Sequence, residues 1–170
     1  MRYLAAALII LLAGPAVGQQ HHHEEAPYTG QHQREIKALS EQQLEDLRAG
    51  RGMGFALSAE LNGYPGPLHV LELAPRLGLS ADQTQRVQIL YDAMKSEAIA
   101  AGEKLISAER ALDRQFAERR VTPATLAALT AQVGDRQGEL RAVHLKYHLM
   151  TAELLTEHQR HRYNELRGYR

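Results

Sequence analysis

From Val87 onward the apolar residues of this chain recur at alternating intervals of three and four. Val87, Leu90, Met94, Ala98, Ala101, Leu105, Ala108, Leu112 and Phe116 are spaced 3, 4, 4, 3, 4, 3, 4 and 4 apart. That period places them on one face of a helix. No proline interrupts positions 81–118, so the pattern predicts a single helix roughly 57 Å long at 1.5 Å per residue. A break follows at 119–122, where Thr122 can cap and Pro123 can sit at the first helical position without losing a hydrogen bond. A second stripe then runs through Leu126, Leu129, Val133, Arg136 or Gln137, Leu140, Val143, Tyr147, Met150 and Leu154. Two long stripes joined by a short turn predict an antiparallel α-hairpin.

Shorter patterns lie on either side. Ile36, Leu39, Leu44 and Leu47 form a brief apolar face, predicting a helix that begins near Gln33, restarts at Ser40 and ends at Gly50. Gly50, Gly52 and Gly54 lie close together but lack the terminal Gly-Lys-[Ser/Thr] and the preceding strand of a phosphate-binding loop. Residues 55–61 allow about two helical turns. Residues 62–67 read as a turn. Residues 69–77 read as a short helix despite Pro75, and 157–166 as a final one. Nothing alternates with period two, so the fold class is all-α. A hairpin alone covers only one side of each stripe. The remaining apolar surface must meet the short helices, a second subunit or both, which predicts a cradle-like shape and a homodimer or a client-binding surface.

One phrase occurs three times: Leu39-Ser40-Glu41-Gln42-Gln43, Leu79-Ser80-Ala81-Asp82-Gln83 and Leu155-Thr156-Glu157-His158-Gln159. In each, the Ser or Thr hydroxyl is placed to accept from the N–H three residues on. The Gln (Gln43, Gln83 or Gln159) can reach back to the cap's own N–H, and the leading Leu suits a hydrophobic staple. These boxes resemble the LTxxQ motif of the Spy/CpxP family of periplasmic stress proteins, whose relatives include periplasmic heavy-metal sensors. The similarity covers about residues 33–167, with its most specific parts at 77–83 and 155–159. It implies long bent helices in a cradle-shaped dimer. It also implies either ATP-independent chaperoning of unfolded clients and envelope-stress signalling, or sensing of a divalent transition metal with a signal passed to a membrane-bound partner.

The ends fit export. One positive charge at Arg2, an apolar run over 4–13, a break at Gly14-Pro15 and the small residues Ala16-Val17-Gly18 read as a signal peptide over 1–18. The run is too short for a resident membrane helix, so no membrane insertion is expected after cleavage, and the resemblance makes the destination periplasmic. Residues 19–32 read as a disordered, His-rich tail and 33–168 as one helical domain. The chain has no Cys, which rules out disulfides and thiolate-held metals. Loss of Arg2 leaves 19 basic against 20 acidic side chains, so nucleic acid is not an expected partner.

His144 and His148 are the sharpest candidates for chemistry. Spacing i, i+4 places two imidazoles on one helix face about 6 Å apart, a common clamp for Zn, Ni, Co or Cu. Read against Leu140, Val143, Tyr147 and Thr151 they flank the stripe, so a partly exposed polar pair is the alternative. A third ligand would come from Glu60, His69 or Glu72. His158 and His161 stand among Arg160 and Arg162 and read as solvated surface. The tail is a separate candidate. Cleavage after Gly18 would leave Gln19-Gln20-His21, whose amine, amides and imidazole suit Cu(II) or Ni(II), with His22 and His23 as further ligands. A plain polar spacer is the alternative there. No cofactor is required; such a divalent transition metal is the candidate ligand. The carboxylates Glu97, Glu103, Glu109, Asp113 and Glu118 fall on solvated helix flanks, and no catalytic grouping has its supporting context. The expectation is a binding protein and not an enzyme. Chaperone or stress accessory stands first, metal sensor second, and a hairpin docking one fixed partner third.

Overall fold

The computed structural model describes residues 26–169. The expected signal peptide and His21, His22 and His23 lie outside the described residues. The described chain is all-helical, without strands. A turn and a 3-10 segment, Gln31–Gln33, lead into α1 (Glu41–Arg48), α2 (Leu57–Glu60), α3 (Pro67–Glu72), α4 (Ala74–Leu77), α5 (Ala81–Ala117), α6 (Pro123–Leu154) and α7 (Glu157–Arg167). Helices α5 and α6, of 37 and 32 residues, form the expected hairpin. Among the described residues no helix is long and apolar enough to cross a membrane.

Every repeated box forms as its chemistry requires. Ser40, Ser80 and Thr156 each accept from the N–H three residues on, and Gln43, Gln83 and Gln159 each accept from the cap's N–H. Thr122 and Thr125 make a fourth box at the start of α6. Two of the boxes also lock together, which the sequence did not reveal. The Gln83 amide donates to Gln159 Oε1 at 3.0 Å and the Gln159 amide donates to Gln83 Oε1 at 3.1 Å. Gln83 Nε2 further donates to the Leu154 carbonyl at 2.9 Å. Each Gln therefore closes its own helix and joins the start of α5 to the start of α7. We expect Ser80→Ala to cost about 1 kcal/mol through the lost cap. Gln159→Ala should cost more, roughly 2–3 kcal/mol, because it strands the Thr156 N–H and part of the Gln83 amide. Urea denaturation of the two variants checks this order.

The apolar residues gather into two cores along the hairpin. The first joins Ile36, Leu39, Leu44 and Leu47 to Ala98, Ala101, Leu105 and Ile106 of α5 and Leu140 of α6. The second joins Val70, Leu77, Val87, Leu155 and Tyr163. Between them α5 offers Tyr91, Met94 and Lys95, and α6 offers His144 and His148. The short N-terminal elements roof each core and leave that middle stretch framed by the Gly- and Pro-rich connection.

Three local expectations are corrected. Residues 34–39 are not helical. Ile36 is fully buried as a single plug, and the Lys37 N–H donates to Asp113 Oδ1 of α5 at 3.2 Å instead of to a helical carbonyl. The turns expected over 55–61 shrink to α2, because Met53 and Gly54 hold left-handed backbone (φ 45° and 78°) and the helix can start only after them. The helix expected over 69–77 is two, α3 and α4. Pro75 has no N–H and its ring clashes with the carbonyl four residues back, so the chain breaks at Leu73.

Candidate functional site

A cleft of about 590 Å³ opens in the middle stretch between the two cores. Its walls come from four places: the connection and α2 over 49–60, residues 66–69 at the start of α3, one turn of α5 and one face of α6. Glycine makes the approach possible. Gly50 has φ 66°, and a Cβ there would lie 2.9 Å from the Lys95 carbonyl oxygen, so only glycine lets the connection run against α5. A Cβ on Gly66 would stand 2.8 Å from His148 Nε2. The Gly/Pro segment is thus the frame of the cleft.

His144 and His148 both line this cleft and both are buried, with 2% and 7% of their surface exposed. The reading of a partly exposed flank is therefore corrected. The buried face of α6 runs through Leu140, His144, Tyr147, His148 and Thr151, at steps of four, three, one and three. Choosing only apolar residues had diverted the stripe to Val143, which is half-buried beside it.

The two rings are held differently. His148 Nδ1 lies 2.7 Å from the Tyr64 carbonyl oxygen. A carbonyl can only accept, so this nitrogen carries the hydrogen, and in the neutral ring Nε2 keeps its lone pair. A histidine whose one nitrogen donates to a carbonyl while the other is free has the arrangement that orients metal ligands. The His144 ring stacks on Phe55 with centroids 6.2 Å apart and planes at 11°. Its Nε2 is buried and has no hydrogen-bond partner, the single such side-chain atom among the described residues. Burial, and then the neighbouring His148, push the His144 pKa below its ordinary value near 6.5.

That shift has a sign. The folded state disfavours protonated His144, so its contribution to stability is fully present above the unfolded pKa near 6.5. It is lost as pH falls toward the depressed folded value. We expect the denaturation midpoint to drop between about pH 7 and pH 5. The drop should be smaller in His144→Phe, which keeps the stack on Phe55. Equal pH profiles for the two proteins would contradict this.

Glu60 sits beneath the pair and is 6% exposed. Its Oε1 accepts from Tyr163 and, at 3.1 Å, from Tyr169, and lies 3.8 Å from Arg167 Nε. Its Oε2 accepts from the Gly66 N–H at 3.0 Å and lies 3.6 Å from His148 Nδ1. Burial, and then Glu60, push the Tyr163 pKa up, so its hydroxyl remains a donor. This carboxylate ties α2, the turn after it and α7 together, and lies beside His148 of α6. Sequence reading offered Glu60 only as a ligand, because nothing marked Tyr163 and Tyr169 as its partners.

The other candidates divide. His69 is half-buried on the cleft wall and bonds through Nδ1 to Glu72 Oε2 at 3.0 Å. Glu72 is exposed and outside the cleft lining. His158 and His161 are exposed on α7. Leu39, Leu79 and Leu155 pack into or against the two cores, and Ser40, Ser80 and Thr156 stay at their caps. Among the described residues no three His, Cys, Asp or Glu side chains gather as a metal cage. Of the α5 flank carboxylates, Glu97 bridges to α6, accepting from Lys146 Nζ at 2.5 Å and the Tyr147 hydroxyl at 2.8 Å.

Comparison of the chain with described protein families, with characterised proteins and with solved structures gives no match.

Proposed function

We propose that this is an exported, non-catalytic binding protein of the Spy/CpxP kind, and that its cleft recognises a transition-metal ion through His144 and His148. One observation carries the reading: a buried imidazole nitrogen, His144 Nε2, without a partner. Leaving such a group unmet costs roughly 1–3 kcal/mol, and a bound ion would meet it. The donating Nδ1 of His148, which frees Nε2, supports the same reading. With this pair drawn into the cleft, metal recognition stands ahead of chaperoning, the reverse of the order expected from the sequence. An ion held through those two nitrogens would give both a partner. When bound, it would bridge the face of α6 and could report its presence by stiffening the framing connection.

The test is calorimetric titration of Zn, Ni, Co and Cu into the exported chain carrying His21→Ala, His22→Ala and His23→Ala. Binding lost in His144→Ala/His148→Ala is expected. Binding that survives that change refutes the assignment.

A second reading has its own support. Near the hairpin tip Phe116 and Leu126 are 54% and 39% exposed, beyond the reach of α1. Apolar surface of that kind suits a second copy or an unfolded client. Suppression of a model client's light scattering by equimolar protein, without ATP, is the expected result for chaperoning. Sedimentation as a dimer at micromolar concentration is the expected result for self-association.

A further inference from the structure

We propose that the ion held in the cleft is soft and monovalent, Cu(I) in class, with the thioethers of Met53 and Met94 completing the site. This rests on the metal reading above and departs from the divalent ion that the family resemblance implies. The donors decide it. Four methionines occur in the chain: Met1, Met53, Met94 and Met150. Met53 and Met94 line the same cleft as the two imidazoles. Met94 is 8% exposed and enters from α5, whereas Met150 is 39% exposed outside the cleft lining. Met53 holds a left-handed backbone at φ 45°. A non-glycine residue seldom adopts that conformation without a compensating role, and here it stands at the cleft wall.

Hard dications favour oxygen ligands, and borderline dications accept imidazole but gain little from a thioether. The single carboxylate of the cleft lining is Glu60. Its Oε1 accepts from two tyrosine hydroxyls and its Oε2 from a backbone N–H. The remaining donors are neutral: the imidazoles of His144 and His148, with His69 on the wall already bonded through Nδ1 to Glu72, and two soft thioether sulfurs, which are what favours Cu(I). Charge points the same way. Lys95 and Arg51 also line the cleft, although Arg51 is paired with Asp46 at 2.5 Å. The Glu60 carboxylate faces Arg167 and its own three donors, so a partly buried dication beside Lys95 still pays a larger desolvation and repulsion penalty than a single charge does. Met53 and Met94 escaped notice in the sequence because one sits among glycines and the other reads as an ordinary stripe residue.

The test uses the exported chain with His21→Ala, His22→Ala and His23→Ala, so that the tail does not compete. Cu(I), kept reduced under anaerobic conditions, is titrated against a chromophoric Cu(I) chelator. Ag(I) serves as a redox-inert second probe, and Zn(II) is run in parallel. We expect one Cu(I) per chain, and sulfur scatterers in the Cu X-ray absorption spectrum. Met53→Leu/Met94→Leu should weaken Cu(I) and Ag(I) by at least about tenfold, equivalent to 1.4 kcal/mol, and leave Zn(II) unchanged. These swaps nearly conserve volume, and an unchanged melting temperature confirms the fold. Cu(I) affinity unaltered by the double change would overturn the inference. So would His144-dependent Zn(II) binding tighter than Cu(I), which would leave the metal reading standing. Failure of every ion to bind would overturn both.

Discussion

Replacing Glu60 with alanine should destabilise the folded chain by roughly 2–5 kcal/mol, a large share of what holds a domain of this size together. The side chain itself is small, and its lost packing would account for little. The cost lies in what it leaves behind. The Tyr163 hydroxyl, on a fully buried residue, and the N–H of buried Gly66 both donate to this carboxylate. Neither has another acceptor, and both residues are buried. Tyr169 and Arg167 also face it, and both are more exposed, so they should recover part of their hydration. Glu60→Gln keeps the shape but turns a donating amide toward donors, and should fall between wild type and alanine. Tyr163→Phe removes one bond and leaves the carboxylate its other partners, so about 1–2 kcal/mol is expected. Chemical denaturation of the three variants gives the order. A Glu60→Ala midpoint within error of wild type would remove the carboxylate from its place as the junction of α2 and α7.

The second large effect is at Gly102, in the middle of α5. Alanine in place of a helical glycine ordinarily adds up to about 1 kcal/mol of stability. At this position the sign should reverse. A Cβ on Gly102 would stand 2.6 Å from the Leu47 carbonyl oxygen and 3.2 Å from its carbon. Those atoms are backbone, so they can yield only if α1 moves off α5. That movement would open the first core around Leu44, Leu47, Leu105 and Ile106. We expect Gly102→Ala to cost about 1–3 kcal/mol as overpacking, and Gly102→Val more. Gly134 and Gly138 of α6 supply internal controls, because nothing lies within 4 Å of a Cβ built on either. Alanine there should stabilise. A stabilising Gly102→Ala would mean that α1 does not dock against α5 at this distance.

The hairpin was legible because its signal is long and redundant. Nine apolar positions in α5 agree on one face, and a single misjudged residue does not move it. The ends were legible too, since Ser80, Thr122 and Thr156 cap where cap chemistry requires. The face of α6 was harder, because two of its buried residues are histidines, and a rule that admits only apolar side chains steps over them to Val143. The pairing of Gln83 with Gln159 joins residues 76 apart in sequence, and each already had a sufficient local task in its own box. The Glu60 junction joins residues 103 apart, beyond any periodic pattern. Residues 62–67 read only as a turn, and Gly50, Gly52 and Gly54 show no task in the sequence, because the purpose of this connection, to pass close to Lys95 and His148, exists only once α5 and α6 are in place. Local and periodic information was thus carried by the chain in plain form. The site, assembled from four separated stretches, was carried only as scattered residues.

The proposed metal ion would meet the unpartnered nitrogen of His144, and the ring nitrogens can be observed directly. Residues 19–170 with alanine at 21, 22 and 23 would be labelled with nitrogen-15. Its imidazole resonances would be followed through one equivalent of Cu(I) or Zn(II), both of which are diamagnetic. Nε2 of His144 and Nε2 of His148 are expected to move together on ion addition, while Nδ1 of His148 keeps its hydrogen on the Tyr64 carbonyl. Both Nε2 resonances remaining in place at saturating ion, with the fold intact, would contradict the proposal.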